Sequence, residues 1–282
     1  MIAVKLMGGL GNQMFQYSIG RSISLSCRVP LKIDKSFLER RDLGQNFTYR
    51  NYELDIFKMD FDFGLTNNKP WSFLTEPQHH LFSENILREC SERIRNGQNV
   101  YLEGYWQTPK YFENVKEVIR SDFSFRDRVN DASDPKIQAM VSMIKESNSV
   151  MINVRRTDYL NNPFHIVLGE PYVKKAIDMI EERVDDPRYF VFSDDIDWCR
   201  ENLHDRDFIF VDKSYAGDRY SYYLQLMSLC KSFVITNSTF SWWSAWLNPE
   251  ENKIVISPKK WFSPPEINSA DLIPKNWMVI EN

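Results

Sequence analysis

Two adjacent arginines, Arg155 and Arg156, directly follow a predicted strand, and Asp158 comes two residues after them. Because side chains alternate along a strand, we expect one arginine to project into a ligand cleft and the other to pair with a nearby carboxylate. A guanidinium keeps its proton and can make two charge-assisted hydrogen bonds, which suits a phosphate group. The alternative is an ion pair with Asp158 that only orders the loop.

A glycine-rich segment, residues 8–13 (GGLGNQ), follows the first predicted strand and opens a predicted helix. Glycine lets the backbone approach a ligand closely, and a helix N-terminus attracts anions. The alternative is a tight strand-to-helix turn that binds nothing. A dinucleotide fingerprint would place a third glycine where Met14 stands, so we expect no close helix–strand packing of that type. Asp34, at the end of the second predicted strand, leaves an oxidoreductase as a weak alternative.

Two polar segments follow later predicted strands. Ser193 and Asp194 could cap the next helix, or the carboxylate could accept hydrogen bonds from the N1–H and 2-amino groups of a guanine. A second anion cradle, or again only a helix cap, is predicted at Asn237, Ser238, Thr239 and Ser241.

Metal-binding patterns are weak. Asp60 and Asp62 have the Asp-x-Asp spacing of some divalent-metal sites, but no predicted strand precedes them. The adjacent His79 and His80 would point apart on a strand. We therefore predict no metal ion, with an arginine neutralising the charge of a leaving group instead.

These segments need a framework that brings them together. Predicted strands lie at residues 2–6, 29–33, 99–103, 150–154, 189–192, 208–211, 232–236 and 253–256. Predicted helices lie at residues 12–27, 83–95, 110–120, 136–145, 172–183, 195–202, 218–230 and 240–247. This alternation is typical of an α/β fold with parallel sheets, in which ligands bind beyond the carboxyl ends of the strands.

The charged and small residues between 121 and 135 predict a domain boundary. We expect an N-terminal domain at 1–130, with an irregular insertion at about 37–77, and a C-terminal domain at 131–282. The C-terminal tail could pack back on the N-terminal domain.

Composition excludes several classes of protein. The chain has 282 residues, of which 43% are hydrophobic and 26% charged, which excludes a disordered, collagen-like or coiled-coil chain. A net charge of −4 argues against nucleic acid as a partner. No uninterrupted apolar stretch approaches the ~18 residues of a membrane span, and no leader precedes the first strand, so we predict a cytoplasmic protein. The four widely spaced cysteines predict neither a zinc knuckle nor a disulfide framework.

Taken together, the segments resemble the α-1,2-fucosyltransferases of glycosyltransferase family 11. The matching segments are GGLGNQMFQYS at 8–18, EGYWQTPKYF at 103–112, NVRRTDYL at 153–160, FSDD at 192–195 and NSTFSWWSAWLN at 237–248. The resemblance implies a GT-B-like fold, in which two Rossmann-type domains with parallel sheets face each other across a cleft. The N-terminal domain would then lie on the acceptor side, and the C-terminal domain would bind the GDP-sugar donor. It also implies inverting transfer of L-fucose from GDP-β-L-fucose to the 2-hydroxyl of a terminal galactose, with no metal or other cofactor.

The resemblance further implies roles for individual residues. Arg155 would contact the β-phosphate and stabilise charge, and Arg156 would be a structural arginine paired with Asp158. Asn12 and Gln13 would close over the donor near the fucose, and Asn12 would belong with Arg155 and Asp158 to the catalytic residues. The full set expected to bind the donor is Gly11, Asn12, Gln13, Asn153, Arg155, Ser193, Asp194, Asn237, Ser238, Thr239 and Ser241, and the set expected to bind the acceptor is Tyr105, Trp106 and Gln107.

Two points stay open at this stage. The family usually has His where this chain has Asn153, and an asparagine cannot carry a proton charge. Asp158 is the preferred general base, although pairing with an arginine would weaken it, and Glu103 and His165 are alternatives.

The sequence leaves two other functions open. The chain could be a transferase for another GDP-linked sugar, or a non-catalytic galactoside-binding protein. An enzyme of this kind could work in oligosaccharide or surface-polysaccharide biosynthesis at the inner face of the membrane, in peripheral contact with it. The sequence indicates neither the acceptor glycan nor an oligomeric state.

Overall fold

The computed structural model describes residues 1–44, 48–60, 62–64, 70–77 and 81–282. They form two compact units. Unit 1 comprises Met1–Arg126 and Glu266–Pro274, and unit 2 comprises Asp127–Pro265 and Lys275–Asn282. The chain therefore first passes from unit 1 to unit 2 after Arg126, close to the predicted boundary at residue 130.

Unit 1 is built on a parallel sheet with the strand order β2-β1-β4-β3. Within the described residues its strands are β1 (Ile2–Lys5), β2 (Leu31–Asp34), β3 (Trp71–Thr75) and β4 (Asn99–Glu103). Its helices are α1 (Leu10–Cys27), α2 (Ser36–Glu39), α3 (Glu84–Arg95) and α4 (Lys116–Asp122).

Unit 2 is built on a larger parallel sheet with the strand order β10-β9-β8-β5-β6-β7. Its strands are β5 (Asn148–Val154), β6 (Pro187–Ser193), β7 (Phe208–Val211), β8 (Ser232–Val234), β9 (Ile254–Pro258) and β10 (Met278–Ile280). Its helices are α5 (Pro135–Glu146), α6 (Glu170–Glu181), α7 (Ile196–Asn202), α8 (Ser221–Leu229) and α9 (Thr239–Leu247). The prediction of a GT-B-like α/β chain with two parallel sheets is confirmed.

The central strands carry continuous apolar runs because helices cover both faces of a parallel sheet. Six of the seven residues of β5 are buried, and its core neighbours include Val191 of β6 and Val234 of β8. No helix among the described segments is long and apolar enough to cross a membrane.

Several elements differ from the sequence prediction. The strand β3 lies in the segment predicted to be irregular, and the edge strand β10 was not predicted. The helix predicted at 110–120 begins only at Lys116, because single 3-10 turns occupy the residues after Pro109. The helix predicted at 218–230 begins at Ser221, since Arg219 and Tyr220 adopt left-handed backbone angles.

Part of the C-terminal tail belongs to unit 1. The Asp271 carboxylate accepts a hydrogen bond of 2.8 Å from the backbone N–H of Phe82 and pairs with the ammonium of Lys110. Leu272 beside it is fully buried. The last residues return to unit 2, where β10 pairs with β9.

Helix α1 packs closely against the sheet of unit 1 at Gly20. A Cβ atom at this position would lie 2.6 Å from Cγ1 of Val4 and 2.8 Å from Cδ1 of Leu31. The close approach of helix and sheet therefore occurs at Gly20, further along the helix than Met14, where a dinucleotide fingerprint would have its third glycine.

We expect Gly20→Ala to lower the free energy of unfolding by about 1–3 kcal/mol, because the added methyl overpacks the contact with Val4. Urea unfolding of Gly20→Ala, Val4→Ala and the double variant measures the coupling between the two sites. Val4→Ala should cost less in the Gly20→Ala background than alone. Strictly additive effects would contradict the close contact.

Candidate functional site

Three loops meet at one edge of the sheet of unit 2. Strands β8, β5 and β6 are neighbours in that order and run parallel, so the segments that follow them leave the sheet side by side. The residues concerned begin at Ile235, Arg155 and Asp194. The structure therefore brings together the predicted arginine, Ser-Asp and Asn-Ser-Thr segments, as expected for the carboxyl edge of a parallel sheet.

The carboxylate of Asp194 holds the arginine loop in place. Its Oδ1 accepts a 2.9 Å hydrogen bond from the backbone N–H of Arg156, and its Oδ2 accepts one of 3.0 Å from the N–H of Thr157. The hydroxyl of Thr157 also donates to Oδ2. A carboxylate has about four lone-pair directions, so most of the acceptor capacity of Asp194 serves the loop. A contact between the remaining acceptor capacity of Asp194 and a guanine stays a prediction.

The carboxylate partners of the two arginines differ from the pairing that the resemblance implied. Arg155 Nη2 lies 2.7 Å from Oδ2 of Asp158, whereas Arg156 Nε lies 3.3 Å from Oδ2 of Asp195. The prediction that Arg156 pairs with Asp158 is wrong. The backbone turns over residues 156–160, where the N–H groups of Tyr159 and Leu160 both donate to the carbonyl of Arg156 at 2.9 Å. This turn brings Asp158 back to the side of Arg155.

Arg156 is nevertheless a supporting residue. Its guanidinium lies over the ring of Trp198, with Cζ 3.9 Å from the ring centroid. The carboxylate of Asp195 also accepts a hydrogen bond from the backbone N–H of Trp198 and so caps α7. The stacked and paired Arg156 ties the loop after β5 to the first turn of α7.

Arg155 is a partly exposed cation at the end of β5, held in place by neighbouring carboxylates. Its Nε lies 3.4 Å from Oδ2 of Asp194, and its side chain is 26% exposed. Burial opposes the charge of the guanidinium, but Asp194 and Asp158 outweigh it, and the pKa of Arg155 is raised. The arginine is therefore always cationic, and two carboxylates direct it while part of its surface stays accessible.

A stack of aromatic rings lies beside Arg155. Tyr159 stacks on His165 with ring centroids 4.1 Å apart, and its hydroxyl donates to the backbone carbonyl of Asn237 at 2.9 Å. Burial lowers the pKa of His165, Arg155 lowers it further, and Asp158 opposes both. The imidazole is thus held neutral at pH 7.

Most predicted polar donor-site side chains of unit 2 bond to the protein itself. Asn237 Nδ2 donates to the carbonyls of Ile166 and Trp261, at 3.0 and 2.8 Å. The hydroxyl of Ser193 accepts the N–H of Asp195 at 2.9 Å, and the hydroxyl of the fully buried Ser241 donates to the carbonyl of Ser238.

Two hydroxyl-bearing residues at the start of α9 leave the donor prediction open. Ser238 occupies the N-cap position but makes no side-chain cap hydrogen bond. Thr239, the first helical residue, is half-buried. Binding of an anion at these two residues stays a prediction.

Asn153 is a buried cross-link within the sheet. Its Nδ2 donates to the carbonyl of Phe192 at 3.3 Å, and its Oδ1 accepts the hydroxyl of Thr236 at 2.8 Å. The residue in the place of the family's histidine thus connects β5 to the segments of β6 and β8. This arrangement does not fit the prediction that Asn153 contacts the donor.

In unit 1, hydrogen bonds of the Gln13 side chain hold the glycine-rich loop in place. The fully buried amide donates to the carbonyls of Gly8 at 2.9 Å and Asn51 at 2.8 Å, and it accepts the N–H of Glu53 at 3.0 Å. The prediction that Gln13 closes over the donor does not fit these contacts. The buried Gly11 contributes backbone only, and Asn12 alone of the three residues 11–13 has a partly exposed side chain.

The predicted acceptor segment after β4 forms a tight turn. Oε2 and Oε1 of Glu76 accept the backbone N–H groups of Tyr105 and Trp106, at 2.6 and 2.7 Å. Trp106 is held at a φ of 57° and is only 1% exposed, packing edge-on against Tyr111. The prediction that Trp106 binds an acceptor does not fit this burial, whereas Tyr105 remains partly exposed.

Glu76 and Asp195 were not predicted as site residues. Asp195 could have been found as the second acidic residue of the FSDD segment. Glu76 directly follows β3, and it was missed because that strand was not predicted.

Among the residues described, no group of three or more His, Cys, Asp and Glu side chains could hold a metal ion. Asp62 pairs with Lys32 at 2.5 Å, and Glu103 pairs with Lys5 at 2.6 Å. His79 and His80 lie outside the described residues. Independence from metal stays a prediction.

The chain matches the profile of the family described as "Glycosyl transferase family 11" over residues 1–281. It is 31% identical over 300 residues to an "Alpha-1,2-colitosyltransferase" of Escherichia coli, with 99% of each chain covered. It is 28% identical over 165 residues to the "Galactoside alpha-(1,2)-fucosyltransferase 2" of Rattus norvegicus, which covers 55% of this chain and 46% of the rat protein.

A solved structure supports the fold. The fucosyltransferase NodZ from Bradyrhizobium superposes with a TM-score of 0.50 at 14% identity, covering 88% of this chain and 92% of that one. At this identity the likeness concerns the fold alone.

We expect Asp194→Asn to release the arginine loop and to lower the free energy of unfolding by about 1–3 kcal/mol, because an amide cannot accept the same set of N–H and guanidinium donors. NMR hydrogen exchange should show faster exchange at the amides of Arg156 and Thr157. Asp197→Asn, at an exposed ion pair with Arg200, is the matched control and should change neither quantity. Unchanged exchange in Asp194→Asn would contradict the role of this carboxylate.

Proposed function

Because the chain belongs to glycosyl transferase family 11, we propose that it transfers L-fucose from GDP-β-L-fucose to the 2-hydroxyl of a terminal β-galactoside. The product would carry an α-1,2 linkage, and the transfer would proceed with inversion and without a metal ion. The rat relative, named as a galactoside α-(1,2)-fucosyltransferase, supports fucose as the sugar and a galactoside as the acceptor.

The observation that carries this proposal is the guanidinium of Arg155 at the carboxyl edge of β5. Asp158 and Asp194 direct it, and it remains cationic at every physiological pH. When the bond between fucose and GDP breaks, negative charge develops on the β-phosphate. A preorganised cation beside that phosphate stabilises the leaving group, which is the task that a metal ion performs in other transferases.

The acceptor hydroxyl must also lose its proton. Asp158 lies 2.7 Å from Arg155, and an ion-paired carboxylate is a weak base. We therefore assign Asp158 to orienting Arg155 rather than to proton removal. A loose, cation-like transition state, in which the sugar leaves GDP before the hydroxyl attacks, needs little help from a base.

A second donor sugar is favoured by one specific observation. The Escherichia coli relative, aligned over 99% of both chains, is named as an α-1,2-colitosyltransferase. GDP-colitose is therefore the competing donor. The proposed chemistry at Arg155 is the same for both sugars, because this residue is assigned to the diphosphate.

The deciding experiment incubates the purified protein with lactose and, separately, GDP-fucose, GDP-colitose and GDP-mannose, each in EDTA. Mass spectrometry and NMR of the product give the sugar and the linkage. An α-1,2-fucosylated lactose formed in EDTA is the expected result. Galactoside binding without GDP binding or donor turnover would instead indicate a non-catalytic galactoside-binding protein.

We expect Arg155→Ala to lower kcat by about 10²–10³, because it removes the charge that stabilises the leaving diphosphate. Arg183→Ala, at an exposed arginine of α6's C-terminal end that pairs with Glu182, is the control and should keep full activity. Circular dichroism and melting curves establish that both variants fold. Near-normal turnover by a folded Arg155→Ala protein would remove this residue from the mechanism.

A further inference from the structure

Tyr159 connects two loops that leave the sheet of unit 2 side by side. It lies in the turn that follows Arg155, and its hydroxyl donates a 2.9 Å hydrogen bond to the backbone carbonyl of Asn237. Asn237 comes after β8 and two residues before α9 begins at Thr239. The side chain of Tyr159 therefore joins the arginine loop to the segment that opens α9.

This connection crosses the point where the strand order of the sheet reverses. Strands β6 and β7 follow β5 on one side, and β8 and β9 lie on its other side. Ligands of open α/β sheets bind in the crevice at such a reversal, beyond the carboxyl ends of the strands. The hydrogen bond from Tyr159 thus links the loops on the two sides of that crevice.

The ring of Tyr159 also contacts Arg155. The guanidinium Cζ lies 5.7 Å from the ring centroid, which is within the range of cation–π attraction. His165 stacks on the same ring, with the two planes only 8° apart. The stack and the hydroxyl hydrogen bond together fix the ring, so one of the contacts of Arg155 depends on the position of Asn237.

Asn237 is a rigid anchor for this hydroxyl. The residue is only 4% exposed, and its Nδ2 donates to the carbonyls of Ile166 and Trp261. Ile166 belongs to the loop after β5, whereas Trp261 follows β9. The carbonyl that accepts from Tyr159 is therefore held from both neighbouring loops and cannot follow a movement of the arginine loop alone.

Resting on the function proposed above, we propose that Tyr159 is a positioning residue for Arg155. Its hydrogen bond to Asn237 fixes Arg155 relative to the start of α9 and so sets the width of the diphosphate site between them. A displacement of a catalytic group by about 1 Å can cost on the order of a hundredfold in rate, so the loss of this tether should be visible in kcat.

Two tyrosine substitutions separate this role from a merely structural one. Tyr159→Phe removes the hydroxyl and keeps the ring beside Arg155. Tyr172→Phe is the matched control, because the hydroxyl of Tyr172 also donates to a backbone carbonyl after β8, that of Ile235, at 2.5 Å. Tyr172 belongs to the apolar core of unit 2. Both variants leave one carbonyl without its hydroxyl donor, so we expect comparable losses of melting temperature.

We expect Tyr159→Phe to lower kcat for sugar transfer about tenfold, and Tyr172→Phe to leave it within about twofold. In the Arg155→Ala background, Tyr159→Phe should lower kcat by no more than about twofold, because its effect passes through Arg155. Equal losses of kcat in the two tyrosine variants, or a full loss from Tyr159→Phe when Arg155 is absent, would overturn the proposal.

The positioning of Arg155 is also measurable in the free protein, without turnover. The Nε–H of Arg155 should exchange with water faster in Tyr159→Phe than in the unsubstituted protein, as measured by NMR, and Tyr172→Phe should leave its exchange unchanged. Unchanged exchange in Tyr159→Phe would overturn the proposal. Faster exchange in a protein that transfers no sugar from any GDP-linked donor would count against the function proposed above, and not against the positioning of Arg155.

Discussion

In each unit, an acidic side chain just beyond the end of one strand accepts two backbone N–H groups from the loop that follows the neighbouring strand. Ser193 pairs with Val154, and the next residue, Asp194, accepts from residues 156 and 157. Thr75 pairs with Glu103, and the next residue, Glu76, accepts from residues 105 and 106. The same offset therefore fixes the arginine loop of unit 2 and the Trp106 turn of unit 1.

This geometry makes both candidate sites depend on strand register. Charge-assisted hydrogen bonds from a carboxylate to backbone N–H groups are short and strong, so each loop has one preferred position. A slip of one residue between β5 and β6 would move Asp194 away from the two amides and leave Arg155 without one of its guiding charges. The buried apolar runs of the central strands set the register and therefore also help to fix the position of Arg155.

Sequence reasoning located the loops well because parallel strands end at a common edge, and strands with buried apolar runs are easily found. It could not choose between partners for Arg155 and Arg156, since Asp158, Asp194 and Asp195 are all within reach along the chain and a single turn decides among them. It missed β3 because the surrounding segment lacks apolar periodicity, and Glu76 was lost with it. The hydrogen bonds of Gln13 to Asn51 and of Gln107 to Asn12 join segments that are far apart in the chain, and no local pattern encodes them.

Each unit is formed by two separate segments of the chain, and this has a consequence for folding during synthesis. Residues 266–274 complete unit 1, with Leu272 in its interior, although the rest of that unit ends at Arg126. Residues 278–280 then add the edge strand of unit 2. Unit 1 is incomplete until residues 266–274 have left the ribosome, so its early-made N-terminal part must wait for some 140 further residues, from 127 to 265. The interior of each unit is thus completed only after its short second segment has been made, and a fragment ending near residue 130 would expose the surface that residues 266–274 cover.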